Sequence, residues 1–178
     1  MKSKKIVLIS IIILLFIGIL FWLFFSSKQT IKQNVQSISA GGVEGYPMYT
    51  ISVSNDWLVD HDGDDGIDRL TISNNGYAIR IGQEPGGGIQ CLYNESGPEV
   101  EYPLSNYTSF TEITTNEGAT LRRGIGFKNN FEFCENFGGE WSSPTDVGYI
   151  QYIVPENPDG TILKEMDAII SSLNTQSQ

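Results

Sequence analysis

The chain has 178 residues, a formal net charge of −10 and an acidic isoelectric point near 4.4. All 21 acidic residues lie between Glu44 and Asp167, while five of the 11 Lys and Arg precede Gly41, so the stretch from Gly41 onward sets six basic residues against 21 acidic ones. A surface of that sign repels phosphates, which excludes nucleic acid and anionic lipid headgroups as partners of this part of the chain.

Residues 6–25 read IVLISIIILLFIGILFWLFF, uncharged and broken only by Ser10 and Gly18. As a helix such a run rises about 30 Å, the thickness of the hydrocarbon core, and it is longer than the apolar part of a cleaved signal peptide. It predicts a single-pass transmembrane helix of the signal-anchor type, contacting the lipid bilayer. Lys2, Lys4 and Lys5 in the preceding tail, residues 1–5, outnumber Lys28 and Lys32 after the run. By the positive-inside rule this puts the N-terminus in the cytoplasm and the C-terminal domain on the extracytoplasmic side of the cell membrane. Residues 26–45 are Ser- and Gln-rich, lack a sustained apolar period and read as a flexible tether, with the folded domain, residues 46–178, beginning at Tyr46.

Alternation of Tyr49, Ile51 and Val53 with polar neighbours predicts a strand. The next segment is densely acidic: Asp60, His61, Asp62, Gly63, Asp64, Asp65, Gly66, Ile67, Asp68. Carboxylates at alternate positions around a glycine turn are the donor pattern of calcium loops, and Asp60, Asp62, Asp64, Asp65 and Asp68 are the candidate calcium ligands. The sixth position is Asp65 rather than glycine and the twelfth is Thr71 rather than glutamate, so the alternative is an acidic, solubilising hairpin loop.

Leu70 and Ile72, the turn Asn74-Asn75-Gly76, and Tyr77, Ile79 and Ile81 predict a β-hairpin. Further strands are predicted at residues 89–93, 110–114, 119–127, 131–134 and 148–154. Then the period changes. Ile162, Leu163, Met166, Ile169, Ile170 and Leu173 share one helical face, with Asp159 or Thr161 as the cap, and the stripe is expected to pack on the sheet. Strands closed by a covering helix make an α+β domain.

The segments YTISVSNDWLV, GYAIRIGQ and GYIQYIVPENPD leading into ILKEMDAIISSL, taken in that order, resemble the PsbP-like family across about residues 46–173. This chain has Asn55 and Asp56 before Trp57, where a proline is common in the family. The resemblance implies an antiparallel sheet flanked by helices, an α/β/α sandwich, and it implies no enzymatic activity.

Cys91 and Cys134 are the only cysteines, and on an oxidising side of a membrane they are expected to pair, the alternative being two buried free thiols that act as small apolar residues. In the chain-entropy account such a loop stabilises a fold by about 4 kcal/mol. His61 is the only histidine and no G-x-S-x-G elbow is present, so no hydrolytic triad is visible, though a hydrolase with an unrecognised site stays open. Trp57 and Trp141 are read as packing residues rather than a sugar platform. Asn94-Glu-Ser96 and Asn106-Tyr-Thr108 fit the glycosylation pattern and read as loop residues. Together these features predict an acidic, non-enzymatic binding or scaffolding domain at the cell envelope, without a cofactor unless calcium fills the acidic loop, and with a membrane or envelope protein as partner.

Overall fold

Two sheets and one helix enclose the core, in a computed structural model that describes residues 34–86, 89–90, 110–125 and 130–176. The chain divides into two units, Met1–Gln33 and Asn34–Gln178, and the described residues all belong to the second. The strands in chain order are β1 (Val35–Gly41), β2 (Met48–Ser54), β3 (Leu58–Asp64), β4 (Ile67–Asn74), β5 (Tyr77–Gln83), β6 (Ile89–Gln90), β7 (Phe110–Thr114), β8 (Thr120–Ile125), β9 (Phe131–Phe137), β10 (Glu140–Ser143), β11 (Tyr149–Ile153) and β12 (Asn174–Gln176). The helix, α1, spans Gly160–Ser171.

The smaller sheet has the order β1-β2-β12, and the larger runs β3-β4-β5-β11-β9-β10-β6 with β8 and then β7 attached to β9. Every strand pairing is antiparallel. Side-chain alternation then sorts the molecule into faces. Tyr49, Ile51 and Val53 of β2, Ile79 and Ile81 of β5, Ile150 and Tyr152 of β11 and Phe133 of β9 point into one core, where each is almost wholly buried. From the helix, Met166, Ile169 and Ile170 enter the same core. One face of the larger sheet is thus covered by the small sheet and α1.

The hairpin β4–β5 forms as expected, because Asn75 and Gly76 take φ of 46° and 84°, the left-handed pair that a two-residue turn between twisted strands requires. Asp159 caps α1, its side chain accepting from the Thr161 N–H at 2.7 Å. The helix is also tied to the sheet by polar contacts. Arg123 of β8 is buried and donates through Nε and Nη2 to the two oxygens of Asp167 at 2.9 and 3.1 Å. The Tyr152 hydroxyl donates to the same carboxylate at 3.2 Å, and the Trp57 indole N–H donates to Glu165 at 2.9 Å.

Several expectations are corrected. The α+β sandwich flanked by helices gives way to a mostly antiparallel β fold with a single helix among the described residues, because β1 and β3 fill positions read as tether and loop, and β10 and β12 form where no element was expected. Residues 35–41, placed in the tether, form β1 in full register with β2, from Val35 opposite Ser54 to Gly41 opposite Met48. The predicted membrane span, residues 6–25, lies outside the described residues. Among the described residues no helix is long and apolar enough to cross a membrane. The 12 residues of α1 rise only about 18 Å, against the ~30 Å of a hydrocarbon core. The single-pass, signal-anchored, extracytoplasmic placement is corrected accordingly, and no membrane span is assigned. Both glycosylation sequons also lie outside the described residues.

Candidate functional site

The acidic segment forms a β-hairpin. Asp60, Asp62 and Asp64 sit on β3, which pairs with β4 through a two-residue turn of Asp65 and Gly66. Gly66 adopts φ 91°, a conformation glycine takes without steric cost. Asp60, Asp62 and Asp64 share one face of the extended strand, where side chains two residues apart are spaced by about 6.7 Å and run in a line along it. Asp68 points the other way, into the molecule. It is buried, contacts His61 Nε2 at 2.6 Å and accepts the Gly41 N–H at 3.0 Å. Among the described residues no group of three His, Cys, Asp or Glu side chains is placed to hold a metal. Calcium is expected to leave the melting temperature unchanged to within about 1 °C in a comparison against chelator, since a saturating site would add roughly 2.7 kcal/mol at 100-fold excess.

Beside Asp68 on β5 lies its cross-strand partner, Gln83, which is fully buried. Its amide oxygen accepts the Val43 N–H at 3.1 Å, and its nitrogen donates to the carbonyls of Pro47 and Val147 at 2.9 and 3.3 Å. Asp68 and Gln83 together clamp the β1–β2 connection onto the larger sheet. The Tyr49 hydroxyl next to them is buried without a hydrogen-bond partner among the described residues, and burial together with the nearby Asp68 charge raises its pKa. Tyr49→Phe is expected to stabilise the fold by about 1 kcal/mol, because it removes an unsatisfied polar atom and keeps the ring; chemical denaturation measures it.

Cys134 is buried and disulfide-bonded, and Cys91, the other half of the expected pair, lies outside the described residues. Trp57 is a core residue with 2 % exposure. Trp141 is half-buried against the Arg122 guanidinium, which lies 3.9 Å from its ring centroid and 4.0 Å from that of Phe110. Both tryptophans therefore have packing roles.

A different polar feature emerges on the opposite side of the large sheet. Cross-strand registry lines up Asp60, Thr71, Arg80, Gln151 and Glu132, one from each of β3, β4, β5, β11 and β9, on the face turned away from α1. The adjacent row is Asp62, Arg69, Gly82 and Tyr149. Gly82 places no side chain between Arg69 and Tyr149, and the two rows line a groove of about 720 Å³. Arg69 lies 3.7 Å from Glu84 at the rim in an exposed pair. Arg80 is exposed and has no ion-pair partner among the described residues. Adjacent strands are about 4.8 Å apart, so the neighbouring acids of its row, on β3 and β9, each stand two strands or roughly 10 Å away.

Of the residues expected to form a site, the groove takes in Asp60 and Asp62, whereas Asp68 faces the interior. Arg80, Gly82, Thr71 and Gln151 carry no local motif; only strand registry brings them together. No family model, curated protein or solved structure matches the chain. The groove is accordingly read from its own geometry.

A second polar cluster lies inside. Glu135 is buried and accepts the Asp146 N–H at 2.7 Å. Burial is the main cause that raises its pKa above the ordinary 4.5, with Asp146 and Glu117 adding repulsion and the backbone hydrogen bond opposing. Between 4.5 and that raised value the folded state holds the proton and the unfolded state has lost it, so stability falls as pH rises through this window. Glu135→Gln retains an oxygen for the Asp146 N–H and is expected to remove that part of the slope. Its stability relative to wild type should rise from pH 4 to pH 7 in paired denaturation curves.

Proposed function

We propose that this protein is a non-enzymatic binding module that takes a small polar ligand in the groove on the outer face of the large sheet. The observation that carries the reading is Gly82. Glycine in mid-strand forfeits packing and conformational entropy, and its usual justification is close approach by another backbone or a ligand. A Cβ added to Gly82 would meet nothing nearer than the Asp68 carbonyl oxygen at 4.0 Å, so the position is not glycine for want of space. A groove of about 720 Å³ falls within the range of small-molecule sites. Its polar side chains come from adjoining strands, and a hydrogen-bonded sheet fixes such groups more firmly than loops do.

The test is a thermal-shift panel of sugars, amino acids, nucleosides and small dicarboxylates against the wild-type chain and Gly82→Val. Valine favours strands and would fill the groove floor without backbone strain. At least one class should raise the wild-type melting temperature by several degrees and leave Gly82→Val unmoved. Shifts of equal size in both proteins, or none in either, would defeat the reading.

A further inference from the structure

We infer that the groove selects a dipolar ligand, a carboxylate at one end and an ammonium or guanidinium at the other, of the kind a free lysine or a C-terminal lysine presents. This rests on the binding role proposed above. Acids on β3 and β9 flank the bases Arg69 on β4 and Arg80 on β5. Arg80 stands centrally on β5, between the hydroxyl of Thr71 and the amide of Gln151, its cross-strand neighbours on either side. A guanidinium flanked by neutral hydrogen-bonding groups suits a carboxylate, which it can hold by two parallel hydrogen bonds. Asp60 and Asp62 lie on β3 at the open edge, exposed, and Asp62 faces Arg69 across the ladder. Ionised carboxylates accept hydrogen bonds and cannot donate them, so this end calls for a donor, and a cationic donor above all.

The spacing limits the length. Two strand intervals separate β3 from β5, about 10 Å. Side chains leaning toward a ligand above the sheet leave its two charges less than about 10 Å apart. Extended lysine, with four methylenes between its α-carbon and its ammonium, fits within that limit. Gly82 keeps the floor beneath the methylenes flat. The lining holds four acids (Asp60, Asp62, Glu84, Glu132) and two bases (Arg69, Arg80), so a purely anionic ligand meets net repulsion, and a purely cationic one leaves Arg80 unanswered.

The experiment is a titration of the full chain, by calorimetry and by ¹H–¹⁵N spectra, with lysine, 6-aminohexanoate, hexanoate and hexylamine. The two zwitterions should bind at least about tenfold more tightly than either singly charged analogue, with shifts centred on the amides of β3, β4 and β5. Arg80→Gln should bring 6-aminohexanoate down to the affinity of hexylamine, and Asp60→Asn with Asp62→Asn should bring it down to that of hexanoate. Gly82→Val should weaken all four. Equal binding of hexylamine and 6-aminohexanoate would reduce the site to an acidic edge and overturn the inference. If neither zwitterion binds while a neutral sugar from the panel does, the dipolar specificity is wrong and the groove reading stands; if nothing binds, both fall.

Discussion

Asp167→Ala is expected to destabilise the fold by about 3–5 kcal/mol, the usual cost of stripping one partner from a buried ion pair. The carboxylate accepts both guanidinium hydrogen bonds of Arg123 and the hydroxyl of Tyr152, whose pKa is raised by burial first and by the Asp167 charge second. Arg123 keeps only 9 % of its side chain exposed, so once Asp167 is gone the guanidinium retains a distant, 3.4 Å contact to the Thr111 hydroxyl and the faces of Phe131 and Tyr152. Little of the guanidinium is open to water. Thermal and urea denaturation should register the loss as a fall of roughly 10 °C or more. Arg123→Met combined with Asp167→Leu and Tyr152→Phe replaces the whole network by apolar groups and should recover most of the stability. A triple variant as unstable as Asp167→Ala would mean that the network, and not the stranded charge, is what holds α1 to β8.

Gln83→Ala is the second large effect, expected at about 3 kcal/mol. Three backbone groups lose their partner at once: the Val43 N–H and the carbonyls of Pro47 and Val147. Each buried group left unsatisfied costs about 1–3 kcal/mol, less where water can enter. The loss should be local as well as global. Hydrogen exchange of the β1 amides and of residues 42–47 should quicken more than that of the β4–β5 hairpin, because the clamp holds the β1–β2 connection and not the hairpin. Gln83→Glu offers a sharper version. It keeps the size of the side chain but turns the amide nitrogen, which faces two carbonyls, into a carboxylate oxygen, and it should destabilise further than alanine. Uniform exchange across the domain in Gln83→Ala would show that the clamp is not a separate unit.

Much of the core was legible because its periods are strong. Tyr49, Ile51 and Val53 alternate cleanly, Asn75-Gly76 is a hairpin turn by chemistry alone, and the stripe from Ile162 to Leu173 has one face. The missed strands share a different trait. In β1, VQSISAG, the inward positions are Gln36, Ile38 and Ala40, too weak an apolar set to announce a strand. In β3, LVDHDGD, five of the seven residues are Asp, His or Gly, and residues of low strand propensity argue for a loop. It forms because β4, with Leu70 and Ile72 buried beneath it, offers a complete ladder, and its aspartates then discourage edge-to-edge pairing with other molecules.

The sequence by itself determined the acidic character, the alternating strands, the hairpin turn and the capped helix, since each depends on residues within a few positions of one another. Only the tertiary structure decided where the aspartates go: Asp68 inward to His61 and the Gly41 N–H, Asp60 and Asp62 outward to the groove. The groove itself is a product of registry. Asp60, Thr71, Arg80, Gln151 and Glu132 are separated by up to 91 positions in the chain, and they meet because each hydrogen-bonded ladder fixes which residue stands opposite which. A shift of one residue in any of them would turn that strand's side chains to the other face and dissolve the row, so the site is specified by pairing free energy distributed over five strands and by no local motif.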